Sequence, residues 1–164
     1  VSSFTRHHVN STMCRAKANG NYMNSMMALK EALDDGYDEA ILLDSNGFVM
    51  EGSGENIFIV RDNVIFTPDL TSALDGVTRK TVIQLAEELN YKVVERRITR
   101  DELYIADEAF FTGTAAEVTP IREIDGRSIG SGKRGPITEI LQSKYFEVVF
   151  GKSPNHENWL TIVK

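Results

Sequence analysis

One lysine, two glutamates four residues apart and two small-residue loops are the parts of this chain that could do chemistry. Lys17 stands in Arg15-Ala16-Lys17-Ala18-Asn19-Gly20-Asn21-Tyr22, among small residues with a single basic neighbour. A lysine amine is nucleophilic only when neutral, and burial or a nearby cation favours that form. Taken alone, such a lysine reads as a surface residue, and Tyr22 reads as a core aromatic at the start of a helix. Glu51 ends the apolar run Phe48-Val49-Met50 and enters Gly52-Ser53-Gly54-Glu55-Asn56. A carboxylate there is either a solvated strand end or an acceptor facing a ligand. Glu55 could compete for that role, but its place just before Asn56 suits tying down the turn. Gly76-Val77-Thr78-Arg79 opens an amphipathic segment. Free backbone N–H groups at a helix start, with a threonine hydroxyl, can hold an anion, although most such starts are only caps. Gly113-Thr114-Ala115-Ala116 follows the apolar Phe110-Phe111, and its small residues permit close backbone approach to a ligand. Alone it is an ordinary turn. His7, His8 and His156 lack metal-ligand spacing with acids or with Cys14, so no metal is assigned. No Ser/His/Asp set and no nucleotide-type phosphate loop stands out, and Met23, Met26 and Met27 read as core or interface filler.

These groups need elements to carry them. Residues 1–12 are polar and read as irregular. Tyr22, Met26, Leu29 and Leu33 recur at helical spacing, with Gly36 as the stop. Ala40 to Leu43 reads as a buried strand, Asn46-Gly47 as a tight turn and Phe48 to Glu51 as the return strand. Asn56 to Val60 and Val64 to Thr67 form a second hairpin about Asp62-Asn63. Thr78 to Leu89 is an amphipathic helix with Val82, Leu85, Ala86 and Leu89 inward. Lys92 to Ile98 is a strand, and Thr99-x-x-Glu102 is a capping box opening a short helix. Ala109 to Thr112 and Glu117 to Ile124 are strands flanking the second loop. Pro136 starts a last helix with Ile137, Ile140, Leu141 and Val148 on one side and Gly151 beyond its end. Trp159 and Leu160 anchor the tail. Hairpins mixed with helices predict an α+β fold, not a doubly wound parallel sheet.

Composition sets the outer limits. At 164 residues, 41% hydrophobic and 26% charged, the chain suits one globular domain with a real core. A net charge of −6 argues against nucleic-acid binding, which favours a basic face. No apolar run is long enough to span a membrane, and no signal-peptide pattern is present. Cys14 is the only cysteine, so no internal disulfide can form and a reducing, cytoplasmic setting fits. The first residue is Val1 and not Met, which reads as a processed or partial chain.

The full pattern runs Glu51-x-Ser53-x-x-Asn56-Ile57-Phe58, then Ile65-x-Thr67, then Leu74-x-Gly76-Val77-Thr78-Arg79, all downstream of Lys17. No part is specific alone, but together they resemble the class IV (fold type IV) pyridoxal-phosphate aminotransferases. Glu51-Gly52-Ser53-Gly54-Glu55-Asn56-Ile57-Phe58 and Gly113-Thr114-Ala115-Ala116-Glu117 are most similar to the branched-chain amino acid type. The resemblance implies the C-terminal domain of that fold, a mixed-sheet pseudo-barrel surrounded by helices. It makes residues 1–12 the remnant of an interdomain connection and 13–164 the large cofactor-binding domain, with the N-terminal small domain absent. It implies pyridoxal 5'-phosphate held by Lys17, with Tyr22 at its phenolic oxygen and Glu51 at its ring nitrogen. Leu74 would pack on the ring face, and Val77, Thr78 and Thr114 would meet the phosphate. Gly113, Thr114 and Ala115 would receive the substrate carboxylate. The implied reaction passes the amino group of leucine, isoleucine or valine to 2-oxoglutarate, in a parent enzyme that is a homo-oligomer and binds neither nucleic acid nor membrane. The isolated piece would be inactive, and the surface normally covered by the small domain would be apolar and exposed. D-amino acid aminotransferases and 4-amino-4-deoxychorismate lyases share these positions. A non-catalytic binding domain is the reading from another class, against which the joint presence of Lys17, Glu51, Thr78 and Thr114 speaks.

Overall fold

The computed structural model describes residues 1–161 and 163. Its centre is the strand β3 (Asn56–Arg61), whose residues Asn56 to Val60 are buried on both faces. An unbroken apolar strand demands cover on both sides, and the chain provides it. Phe58 and Val60 point to one face, where they meet α2 (Val77–Glu88) and α4 (Pro136–Val149) through Val82, Leu85, Ile137 and Leu141. Ile57 and Ile59 point to the other face, against Val49, Ile98, Leu103 and Ile129. Each such side chain contributes about 1.5–3 kcal/mol by leaving water.

Seven strands form one mixed sheet. One edge of β3 is fully taken by antiparallel β6 (Glu108–Gly113), with Phe58 opposite Phe110 and the two rings stacked at 5.0 Å. The other edge is shared. β2 (Val49–Gly52) pairs with its start through Glu51 and Asn56, whereas β4 (Val64–Thr67) pairs with its end from Ile59 onward. The sheet therefore forks beside Ile57 and Phe58, and Glu51 and Asn56 lie on one side of the fork. β1 (Ile41–Leu43) extends the sheet beyond β2, and β5 (Lys92–Glu95) pairs parallel with β4 after the α2 crossover. β7 (Glu117–Pro120) pairs with β6. The segment beyond β7 is not one strand to Ile124: it breaks after Pro120, and a separate ribbon of β8 (Glu123–Ile124) and β9 (Arg127–Ser128) turns at Asp125-Gly126, both at positive φ. The mixed sheet with helices bears out the α+β expectation.

Local signals worked where the chemistry is local. Asp62 and Asn63 both take left-handed backbone, the requirement of a two-residue hairpin turn. Thr99 and Glu102 form the reciprocal capping box at the start of α3 (Arg100–Tyr104), and burial-independent bonds from Arg96 help hold the Glu102 carboxyl down at about 2. Pro136 is the first residue of α4.

Helix faces were harder to read. In α1 (Tyr22–Asp34) the buried residues are Ser25, Ala28 and Ala32, whereas Met26 and Leu33 are exposed. The helix lies close on Ala40 and Leu42, where only small side chains fit. Met23, Met26 and Met27 are all exposed, which removes them from the core. In α4, Ile140 faces outward and Tyr145 is buried instead. Trp159 packs on the α2–α4 cluster, edge-on to His156, which bridges Ser153 and Glu88.

Candidate active site

A cleft opens at the fork of the sheet. Arg6, Lys17, Tyr22, Glu51, Asn56 and Leu74 are among the residues that line it. Four separate stretches of sequence meet there.

Its floor is Glu51, near the end of β2 and 4% exposed. One carboxylate oxygen faces the Arg6 guanidinium, Nη2 to Oε1, at 2.5 Å. The other accepts from the Leu74 backbone N–H at 2.9 Å and from Asn56 Nδ2 at 3.3 Å. Burial raises the pKa of Glu51, while Arg6 and then the Leu74 amide act to lower it. Arg6, 7% exposed, also donates from Nη1 to Ser25 Oγ at 2.9 Å. Asn56 completes the floor by donating to the Leu74 carbonyl at 2.8 Å.

Lys17 lies on one wall, exposed, in the loop before α1. That loop is held by its backbone. Asn21 Nδ2 donates to the carbonyls of Met13 and Ala16, both at 3.0 Å, and Ala18 N–H donates to Ala16 at 2.8 Å. Arg15 and Lys80 both reach Asp75, at 3.8 and 2.7 Å, so the lysine loop is tied to the start of α2. Cys14 is buried beneath the loop, and burial raises its thiol pKa. Tyr22 lines the cleft and is only partly buried, which sets aside its reading as a core aromatic.

Leu74 leads into α2. The helix begins after Gly76, which offers no side-chain cap, and its first turn carries no acid. Its first N–H groups are therefore free of competing caps. Gly76 is required sterically: a Cβ there would collide with Asn56 Oδ1. Thr78 is buried, while the Val77 side chain points away into solvent, leaving only its backbone toward any ligand. Arg79 is buried and anchors this turn to Pro68 O at 3.0 Å and to Glu95 at 2.6 Å.

The second loop sits next door. Gly113 packs against Glu55 and Gly54, and Thr114 and Ala115 are exposed at the β6–β7 turn; none of the three lines the lysine cleft itself. The left-handed residue of that turn is Glu117, not a glycine. Glu55 does tie its turn, accepting from Gly54 N–H at 3.1 Å. It is pushed up to about 7 by burial and by the neighbouring Glu39, which itself accepts from Ser53 N–H at 3.2 Å.

Arg6, Ser25, Asn56 and Glu39 carry contacts that residue spacing did not announce. The available signal for Arg6 was charge balance. A carboxylate buried beside Leu74 needs a cation, and Arg6 is one of the few cations upstream.

The site's pattern has close counterparts. The model of the amino-transferase class IV family matches residues 1–124. The chain belongs to the class IV aminotransferases. It is 65% identical to the branched-chain-amino-acid aminotransferase of Pseudomonas aeruginosa across all of its length, covering 53% of that protein. It is 47% identical to the Escherichia coli enzyme of the same name over 98% of this chain and 52% of that one. Among solved structures, the branched-chain aminotransferase of Thermoproteus uzoniensis with norvaline superposes with a TM-score of 0.95 at 53% identity, covering 98% of this chain and 54% of that one. The Thermobaculum terrenum enzyme in its PLP form gives 0.95 at 47% identity, over 98% and 53%. The chain thus spans about half the length of the relatives it matches. No helix among the described residues is long and apolar enough to cross a membrane.

Proposed function

We propose that this chain is the cofactor-binding half of a pyridoxal-phosphate enzyme that transfers the amino group of branched-chain L-amino acids to 2-oxoglutarate. One observation carries the reading: a buried carboxylate, Glu51, paired with Arg6 on the floor of a cleft whose wall holds Lys17 and Tyr22. Residues 13–164 would form the large domain and 1–12 the connection to a small domain supplied elsewhere in a longer, homo-oligomeric protein.

The residues fit pyridoxal 5'-phosphate. A buried carboxylate suits a protonated ring nitrogen, Leu74 offers an apolar flank, and the uncapped start of α2 suits a phosphate. When bound, the cofactor supplies an electron sink for the electrons left at substrate Cα. The chain's own groups do the rest. Lys17 would hold the cofactor, and its amine would move a proton off substrate Cα and back. Glu51 would keep a proton on the ring nitrogen, and Tyr22 would hydrogen-bond the phenolic oxygen. The N–H groups of Val77 and Thr78 and the hydroxyls of Thr78 and Thr114 would hold the phosphate. The Gly113-Thr114-Ala115 turn would orient the substrate carboxylate through its backbone. The small domain would exclude water, which otherwise weakens these electrostatic effects.

Mixing the protein with pyridoxal phosphate, reducing with borohydride and mapping the adduct by mass spectrometry tests this. Labelling of Lys17 alone is expected. Scattered labelling in the full-length protein would sink the reading. Formation of 2-oxo-4-methylpentanoate from L-leucine, set against pyruvate from D-alanine, then decides the substrate class.

A further inference from the structure

The N-terminal segment contributes to the site in a way the proposed reaction does not yet use. Residues 1–12 read as a connector, yet Arg6 is buried beneath the cleft and makes two directed contacts, one to Glu51 and one to Ser25. Ser25 lies in α1, one turn beyond Tyr22. The guanidinium therefore joins the helix that carries Tyr22 to the carboxylate of β2. Its backbone is also fixed, since Arg6 N–H donates to Leu43 O at 2.7 Å and Thr5 bridges Leu43. We infer that Arg6 is a positioning residue of this site: through its guanidinium it holds Glu51 ionised and aimed, and so makes that carboxylate able to keep a proton on a ring nitrogen.

The physical reason is charge. Glu51 is removed from water, and a carboxylate so placed favours its neutral form unless a cation faces it. A neutral acid would offer its own proton and could not act as the anionic acceptor. The other titratable groups near Glu51 do not supply that cation. Glu55, on the β2–β3 loop, is acidic, and Cys14, under the lysine loop, is a buried thiol. His7 adjoins Arg6 and is held below its ordinary value by burial and by Arg6 itself. Lys17 and Tyr22 line the same cleft, but no bond from either to Glu51 is found among the described residues. Arg6 is the cation in contact.

The inference rests on the reading of Glu51 as the ring-nitrogen acceptor, and the test separates the two. It uses the full-length protein with Arg6→Gln, Arg6→Lys, Ser25→Ala, Glu51→Gln and the Arg6→Gln/Glu51→Gln pair. The first readout is thermal unfolding of the cofactor-free protein between about pH 5 and 8.5. Without Arg6 the folded pKa of Glu51 rises further above its unfolded value, so stability present at acid pH is lost as pH rises. Arg6→Gln should therefore steepen the downward slope that wild type already shows through Glu55, and adding Glu51→Gln should remove that added steepness. A merely structural arginine would lower the melting temperature equally at every pH, which would overturn the inference. The second readout is cofactor affinity by fluorescence and turnover. Arg6→Gln should weaken pyridoxal phosphate binding about tenfold or more, the scale of one lost charged hydrogen bond. It should also lower kcat with little change in the KM for L-leucine, a loss confined to the transition state. Arg6→Lys restores the charge but cannot span Ser25 and Glu51, so it should recover the pH profile and only part of kcat. Ser25→Ala is the milder probe if Arg6→Gln does not fold, and it should shift the same pH profile in the same direction. If wild type binds no pyridoxal phosphate, the functional reading fails while the pH slope still judges Arg6. If it binds and Arg6→Gln matches wild type in slope, affinity and kcat, the inference fails alone.

Discussion

The floor and the rim of the cleft are built by different means. On the floor, Glu51 and Arg6 are buried, and both carboxylate oxygens have partners within this chain. At the rim Lys17 is exposed, and beside the cleft so are Val77, Thr114 and Ala115; the Asn21 side chain clamps the backbone of the lysine loop, and the β6–β7 ladder closes at Gly113 and Glu117. The floor thus carries a charge arrangement made before any ligand arrives, the kind that acts without reorganisation. The rim presents reactive groups where a ligand can reach them. Substitutions on the floor should cost stability as well as chemistry, and those at the rim should cost chemistry alone.

The strongest separation is expected at Lys17. Lys17→Ala should lower transamination by about 10²–10⁴-fold or more, measured as the initial rate, while the unfolding free energy from urea melts stays within about 0.5 kcal/mol. A large loss of stability would mean that the lysine loop belongs to the floor. Glu51→Ala is the counterpart. It leaves the Arg6 guanidinium buried and unpaired, which should cost about 3–5 kcal/mol, seen as a lower urea midpoint; a stability change near zero would dissolve the distinction. Gly76→Ala tests the seam between the regions. The added methyl meets Asn56 Oδ1, so the Asn56 bonds to Leu74 and Glu51 must shift, at a cost of about 1–3 kcal/mol. Pyridoxal phosphate affinity should drop alongside.

The smallest effect is a pH profile. Glu55 is pushed up to about 7 by burial and by Glu39. Its folded pKa exceeds the ordinary 4.5, so the stability it adds in the neutral form is full below that value and is lost as pH rises through about 7. Glu55→Gln stays neutral throughout. Its melting temperature should match wild type near pH 4.5 and exceed it at pH 8, by no more than about 2–4 °C. A gap independent of pH would mean that Glu55 is not the titrating group.

Much of this was legible in residue order. The hairpin at Asp62-Asn63 needs only two residues that tolerate left-handed backbone, and the box at Thr99 and Glu102 needs only one helical turn. The positions that meet at the cleft, Lys17, Tyr22, Glu51 and Leu74, were readable as a pattern because each sits in a short, distinctive stretch. Helix faces were read less well. Apolar spacing in α1 pointed to Met26 and Leu33, but the sheet approaches too closely for them, and Ser25, Ala28 and Ala32 take the inner face. The β8–β9 ribbon was merged into its neighbour because a two-residue strand has no period to detect.

The sequence by itself determined the α+β class, the turn and cap positions and the set of residues from which a cofactor site could be drawn, because those depend on contacts within a few residues. Only the tertiary structure decided that Arg6 answers Glu51, that β3 is shared by β2 and β4 so that a cleft opens at its start, and that Gly113 lies against Glu55. Those are contacts between distant segments. They follow from how strands pair and where charges can be buried together, and no local spacing encodes them.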